Sequence, residues 1–155
     1  MVIASKADIY SREDALYVVA LALTRRGYTF ETDKVQTIAT TRDAGTLGAA
    51  VLQALAAYER DVPDIADPRK HAYAMLRVLG FPSLRSFERG TKLTGVQVAD
   101  GFAHVFPTKP YGRGGYLGLT LDDAPDGGMA RVPLEPMALG EAVLSRLAMS
   151  VPHPT

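Results

Sequence analysis

The stretch Thr46–Leu55, TLGAAVLQAL, decides the fold, because it predicts an amphipathic helix and returns near the end of the chain. The second copy is Ala138–Leu147, ALGEAVLSRL, and six of the ten positions are identical. Both copies have a glycine at the same place, Gly48 and Gly140, although glycine in a helix costs about 1 kcal/mol relative to alanine. Such a glycine indicates close packing, and we expect each helix to lie against a β-sheet at this residue.

The two helices are predicted to end two similar halves of the chain. A turn that ends in Gly-Tyr precedes each copy, at Gly27–Tyr28 and at Gly115–Tyr116. The second copy has four more residues between turn and helix, which the loop Asp122–Gly128 can absorb. The pattern predicts a two-fold pseudo-repeat with halves at about residues 1–60 and 83–150, each made of strands followed by a helix.

Alternation of side chains predicts strands around the repeated helices. The run Ala15–Leu23 also fits a buried helix, since Ser11 and Asp14 resemble a capping box, but its alternating large side chains favour a strand. The other predicted strands are Lys34–Thr40, Leu93–Val98, Phe102–Phe106, Tyr116–Leu121 and Met129–Val132.

One shorter helix and the full extent of the second repeated helix complete the prediction. One begins at Pro68 and ends at Gly80, and Pro136–Met149 forms the other around the second repeat. In this last helix the side chains expected to face inward are Leu139, Val143, Leu144 and Leu147. We therefore expect an α+β fold in which an antiparallel sheet of about five to seven strands is flanked by three helices.

The composition is typical of one ordinary domain. The chain has 155 residues, 47% of them hydrophobic, and 17 basic residues balance 17 acidic ones. This balance argues against the broad basic surface of a general nucleic-acid-binding protein. The absence of cysteine excludes disulfides, thiolate metal sites and thiol nucleophiles. We expect a single domain at residues 1–150, with residues 151–155 as a flexible tail.

The sequence predicts neither secretion nor a membrane span. Met1–Arg12 contains Lys6 and Asp8 and lacks the apolar segment of a signal peptide, and the longest apolar run, Ala15–Leu23, is short for a membrane helix. The cysteine-free composition also suits a reducing compartment, so the cytoplasm is the expected location.

Residues that often carry catalysis are poorly placed for it. The three histidines, His71, His104 and His153, have no metal-ligand spacing and no carboxylate cluster beside them, so we expect structural roles, no metal and no other cofactor. No serine lies in a nucleophile elbow. We therefore expect a binding or inhibitory protein rather than an enzyme.

One glycine-rich segment keeps an enzymatic alternative open. In Tyr111–Tyr116, backbone N–H groups beside Arg113 would be able to approach a phosphate group. A strand is predicted to follow, whereas phosphate-binding loops are followed by a helix, and this favours a tight turn. The alternatives are a small enzyme that acts on an anionic substrate, and a non-catalytic adaptor subunit whose sheet edge pairs with another chain.

The second half of the chain resembles a known family. The segments Ser83–Lys92, Pro107–Lys109, Gly112–Tyr116 and Ala138–Val143 are similar to those of the immunity proteins of bacterial contact-dependent growth inhibition systems. The resemblance covers about residues 81–149. It implies a cytoplasmic protein that binds and neutralises the cognate C-terminal toxin domain of a CdiA-like exoprotein. Such toxins are frequently nucleases and often cut tRNA.

Two acidic loops are the predicted contact with the toxin. A nuclease cleft is expected to be basic, so carboxylates on the inhibitor would speed association and make it sensitive to salt. The exposed loop predicted at Glu59–Asp67 supplies four candidates and the loop before the last strand supplies three. The candidates are Glu59, Asp61, Asp64, Asp67, Asp122, Asp123 and Asp126.

Overall fold

The structure, a computed structural model, describes residues 2–67, 70–111, 115–118 and 128–154. Within these residues it confirms the α+β class, with an open, mainly antiparallel sheet of eight strands flanked by four helices. The strands are β1 (Ser5–Arg12), β2 (Ala15–Thr24), β3 (Thr29–Ala39), β4 (Glu59–Val62), β5 (Lys92–Ala99), β6 (Phe102–Tyr111), β7 (Gly115–Gly118) and β8 (Ala130–Pro133). The helices are α1 (Ala44–Ala56), α2 (Tyr73–Leu79), α3 (Leu84–Glu88) and α4 (Pro136–Met149). None of these helices is long and apolar enough to cross a membrane.

Two matching hairpins form the centre of the sheet, whose strand order is β3-β2-β1-β5-β6-β7. In each hairpin a strand of 8 residues turns into a strand of 10 residues, β1 into β2 and β5 into β6. β1 and β5 pair antiparallel, so a local two-fold axis between them relates the hairpins. Each hairpin leads through outer strands to a long helix, α1 or α4, as the repeated sequence predicts.

The two repeated glycines lie where α1 and α4 cross, so the expectation that they face the sheet is wrong. A Cβ atom on Gly48 would lie 1.7 Å from the carbonyl oxygen of Pro136, the first residue of α4. A Cβ atom on Gly140 would lie 1.7 Å from the carbonyl oxygen of Ala44, the first residue of α1. Because each glycine lacks a side chain, the first turn of the other helix can pack directly against it. The two repeated helices, α1 and α4, therefore contact each other reciprocally through Gly48 and Gly140.

α1 and α4 cover one face of the sheet and form the main core with it. The buried side chains of this core include Ile9, Val18, Val105, Leu47, Val51, Leu139 and Val143. The prediction that Leu144 faces inward is wrong, because its side chain is 38% exposed. The inward stripe of α4 follows the spacing of Leu139, Val143 and Leu147, and Leu144 lies one helical step beyond it.

α2 and α3 cover part of the opposite face of the sheet. Phe87 of α3 is fully buried there, and the rings of Tyr10 and Phe81 meet it edge-on at centroid distances of 5.0 and 5.1 Å. Met75 and Leu76 of α2 belong to the same cluster. α2 ends at Gly80 in the left-handed conformation (φ 79°), as predicted.

Three elements are not predicted by the sequence: β1, β4 and α3. In β1 the buried residues Ala7 and Ile9 alternate with the less buried Lys6 and Asp8, because only one face of this strand contacts the main core. β4 replaces the first part of the exposed loop expected at Glu59–Asp67, since it pairs in parallel with β2. α3 is short and begins at a capping box formed by two serines.

The segment after α4 packs against the protein, in contrast to the flexible tail expected from the sequence. The backbone N–H of Val151 donates to the carbonyl of Thr108 (2.9 Å), and that of His153 donates to the carbonyl of Thr91 (2.9 Å). His153 Nε2 also lies 2.7 Å from Glu88 Oε2. These contacts fasten the C-terminal segment to β6 and to the end of α3.

Candidate functional site

An open cavity of about 300 Å³ occupies the part of the sheet face next to the α2–α3 cluster. β1, β3, β5, β6 and β7 all contribute to its lining. Its polar and aromatic lining residues include Lys6, Asp8, Tyr10, Glu31, Phe106 and Tyr116. We call this cavity the carboxylate groove, because two acidic side chains lie in its lining.

The alternation of β1 places its polar residues in the carboxylate groove. Ala7 and Ile9 point into the main core, so Lys6, Asp8 and Tyr10 point to the other face of the sheet. Glu31 comes from β3, where it pairs with Leu21 of β2 beyond a shift in the strand register. Two strands that both pair with β2 therefore bring the two carboxylates to one cavity.

Glu31 is held by a short hydrogen bond. Its side chain is only 6% exposed, and the Tyr10 hydroxyl donates to Glu31 Oε1 at 2.6 Å. Burial and the neighbouring Glu31 charge raise the pKa of Tyr10 well above its ordinary value. Tyr10 therefore stays protonated and remains a donor to the buried carboxylate.

The ionised form of Asp8 is disfavoured in the groove. Burial, followed by the charge of Glu31, raises the pKa of Asp8 well above its ordinary value, and Lys6 only partly opposes this. The ammonium group of Lys6 is itself engaged, since it donates to Thr29 Oγ1 at 3.3 Å. The lining of the groove thus contains two carboxylates and one lysine. A further positive charge would stabilise the ionised form of Asp8.

Aromatic rings close one side of the groove. The Tyr116 hydroxyl is buried and has no hydrogen-bond partner among the described residues, and burial raises its pKa. Its ring meets that of His153 edge-on at 4.8 Å. The Phe106 ring lies over Gly95, where a Cβ atom would approach Phe106 Cζ to 2.5 Å. The groove therefore has aromatic side chains, Tyr116 and Phe106, in its lining.

The acidic residues predicted in the segment Glu59–Asp67 lie at and after β4, which pairs with the last residues of β2. Glu59 forms an ion pair with Lys34 (3.0 Å), and Asp64 pairs with the Arg26 side chain (3.4 Å). The backbone N–H of Arg26 also donates to Asp64 Oδ1 (3.2 Å). Two of the four predicted carboxylates are therefore already neutralised by basic groups of the same chain.

The other two predicted residues of the segment Glu59–Asp67, Asp61 and Asp67, differ in exposure. Asp61 is exposed in the left-handed conformation (φ 55°), and its carboxylate forms no ion pair within the described ranges. Asp67 is half-buried, and its carbonyl accepts the backbone N–H of Lys70. Asp61 is thus the most available carboxylate of the four.

Part of the predicted site lies outside the described residues. This applies to the three aspartates of the second acidic loop, Asp122, Asp123 and Asp126, to Arg113 of the glycine-rich turn, and to Pro68. β7 covers the first part of the strand predicted at Tyr116–Leu121.

The histidines have different environments. His104 is buried, with Nε2 3.3 Å from the carbonyl oxygen of Ala99, and His153 contacts Glu88. His71 lies just before α2 and lines the carboxylate groove. Where side chains are described, no three His, Asp or Glu residues come together as potential metal ligands.

The comparisons with known proteins concern the fold. A chain of the "CdiA-CT/CdiI toxin and immunity complex" from Yersinia pseudotuberculosis is similar with a TM-score of 0.73 and 13% identity, over 95% of this chain and 97% of that one. A protein of unknown function from Neisseria meningitidis is similar with a TM-score of 0.71 and 18% identity, over 95% of both chains. No family model and no curated protein matches the sequence. At these identities the likeness shows a shared fold, that of a chain from a toxin–immunity complex.

Proposed function

We propose that this chain is an immunity protein of a contact-dependent growth inhibition system, which binds the C-terminal toxin domain of a CdiA-like exoprotein and neutralises it. The observation that carries the proposal is the fold likeness to the toxin–immunity chain from Yersinia pseudotuberculosis over nearly the whole length of both chains. The resemblance of residues 81–149 to this family supports it from the sequence.

Inhibition by binding also fits the chemistry of the described residues. The polar groups converge on a groove of one basic and two acidic side chains, without the paired nucleophile and base of an acyl-transfer site. We propose a cytoplasmic inhibitor without catalytic activity or cofactor, which covers the toxin's active site. The partner would be a toxin nuclease, such as one that cuts tRNA, with a basic substrate cleft.

A protection assay tests this function. The proposal predicts that a toxin domain is encoded directly upstream of this chain. Cells that express this domain should stop growing, and co-expression of this chain should restore growth. A toxin domain from an unrelated system serves as the control and should remain toxic. Equal growth arrest with and without this chain, for the toxin encoded upstream, would contradict the proposal.

The acidic segment Glu59–Asp67, whose first part is β4, is proposed as one contact with the toxin. Asp61→Lys should weaken toxin binding by more than about 0.5 kcal/mol, the usual range of surface substitutions, and should reduce the salt sensitivity of association. Asp61 is the sharpest choice, since replacing Glu59 or Asp64 would also break an ion pair within the chain.

Asp14→Lys is the matched control for this contact. Asp14 is exposed at the β1–β2 turn, at the other end of the sheet from β4, and the substitution changes the net charge equally. Equal affinities of the two variants, measured by calorimetry at low and high salt, would remove the acidic loop from the interface. The second loop, Asp122, Asp123 and Asp126, is tested in the same way by reversing its charges.

A further inference from the structure

We propose that the carboxylate groove is a binding site for a basic side chain, a lysine or arginine that the toxin domain inserts between Asp8 and Glu31. This inference rests on the proposed function for the identity of the partner. It adds contact residues other than those of the acidic segment Glu59–Asp67, and assigns a role to residues that no sequence motif marks.

The size of the groove suits one inserted side chain. Its volume of about 300 Å³ lies at the lower end of the range of ligand pockets, which extends to about 1,000 Å³. Asp8 and Glu31 both lie in the lining of this open cavity. A side chain that enters it from a docked protein would therefore meet both carboxylates.

The charges of the groove select a cation. Asp8 and Glu31 line the same cavity, and the charge of Glu31 raises the pKa of Asp8, whereas Lys6 is engaged with Thr29. An incoming ammonium or guanidinium group would bring the compensating charge and the N–H donors that Asp8 needs. An acidic or neutral side chain would also lose its hydration on entering the groove, but it would form no favourable charge interaction with Asp8.

The aromatic side of the groove points to the same ligand. The rings of Tyr116 and Phe106 in the lining can attract a positive charge to their faces. The Tyr10–Glu31 hydrogen bond holds one carboxylate in position before any ligand arrives. These features provide a preorganised site for one basic group.

The first experiment needs no toxin. The full chain, labelled for NMR, is titrated with the amide of N-acetyl-arginine, the amide of N-acetyl-lysine, and the neutral amide of N-acetyl-norleucine. We expect saturable shifts of the amide signals of Lys6–Tyr10 and Thr29–Glu31 with the basic probes, and none with norleucine. Equal shifts with the neutral probe, or no shifts in these segments, would overturn the cation site.

The second experiment measures the affinity of the toxin domain for variants of the groove. Asp8→Asn and Glu31→Gln each keep the shape of the side chain, and the amide oxygen that the second substitution introduces can still accept from the Tyr10 hydroxyl, so both variants should fold. We expect each to weaken toxin binding about tenfold or more, as for the loss of one partner of a buried charge pair. Asp14→Asn, at the exposed turn, is the matched control and should bind as the wild type does.

The outcomes separate this inference from the proposed function. If the wild type binds the toxin and both groove variants bind it equally well, the groove proposal is wrong and the immunity function stands. If the basic probes bind but the variants keep full toxin affinity, the groove takes a small cation and the inserted side chain is excluded. If the wild type does not bind the toxin, the proposed function fails, and the probe titration alone decides whether a cation site exists.

Discussion

Replacing Gly48 with alanine tests the reciprocal contact between α1 and α4. The added Cβ atom would lie 1.7 Å from the Pro136 carbonyl oxygen, whereas ordinary contact begins at 3.4 Å, so the first turn of α4 has to retreat by about 1.7 Å. Overpacking of this kind costs about 3 kcal/mol at the upper end of its range, and the better helix propensity of alanine returns about 1 kcal/mol. We expect the free energy of unfolding to fall by about 2 kcal/mol.

Urea unfolding measures this change, and Gly45→Ala is its matched control. A Cβ atom on Gly45 would meet only side-chain atoms, Asp43 Oδ1 at 3.3 Å and Met137 Cε at 3.5 Å, which is close to ordinary contact, so the hydrogen bond from Thr46 to Asp43 that caps α1 can be kept. This control should be neutral or gain up to about 1 kcal/mol from helix propensity. Gly140→Ala should resemble Gly48→Ala, and the double variant should lose less than the sum, since one separation of the helices relieves both contacts. A Gly48→Ala protein as stable as the wild type would refute the close helix contact.

Three further predictions concern the groove and the C-terminal segment. Tyr10→Phe removes the donor to the buried Glu31 carboxylate and should lower the free energy of unfolding at neutral pH by about 1–3 kcal/mol in urea titrations. Because the pKa of Asp8 is raised in the folded state, its contribution to stability is present at acid pH and is lost as the pH rises through that raised pKa. Asp8→Asn should therefore raise the urea midpoint at neutral pH, and this gain should shrink as the pH falls toward about 4, the value of Asp in an unfolded chain; a gain independent of pH would contradict the assignment. Deleting residues 151–155 removes backbone hydrogen bonds and the contact of a histidine with a buried carboxylate, and should lower the melting temperature by an amount equivalent to about 3 kcal/mol, whereas an unchanged melting temperature would show that the segment adds no stability.

Local patterns in the sequence predict much of the fold. The leucine spacing and Pro136 predict α4 with its observed ends. The sequence offers Asp43 or Thr46 as the cap of α1, and Asp43 is the one that accepts, from the backbone N–H of Thr46 at 2.7 Å. Asp100–Gly101 predicts the β5–β6 turn, and both residues have the positive φ (54° and 79°) of a tight hairpin. These features depend on neighbours along the chain, so the sequence is sufficient to find them.

Contacts between distant segments are not predicted. β4 is short and polar, and only its parallel pairing with β2 defines it as a strand. The role of Gly48 depends on Pro136 of the other half, which no local pattern reveals. The pairing of Glu59 with Lys34 likewise depends on the position of β4 beside the first hairpin.

The carboxylate groove is missed by sequence reasoning for the same reason. Asp8, Glu31 and Tyr116 lie on three strands and share no motif, so only the sheet brings them together. One local pattern exists in β1, where Ala7 and Ile9 alternate with Lys6 and Asp8, as is typical of a strand with one apolar and one polar face. This pattern indicates a strand, but it does not show which charged residues of other strands lie beside Asp8.

The most direct test of the proposed function is size-exclusion chromatography of this chain mixed with the purified toxin domain encoded directly upstream, with the toxin's activity assayed across the peak. The account predicts an equimolar complex in which the toxin is inactive, and recovery of toxin activity when the complex is dissociated. Separate elution of the two proteins at micromolar concentrations, with the toxin fully active in the presence of this chain, would contradict it.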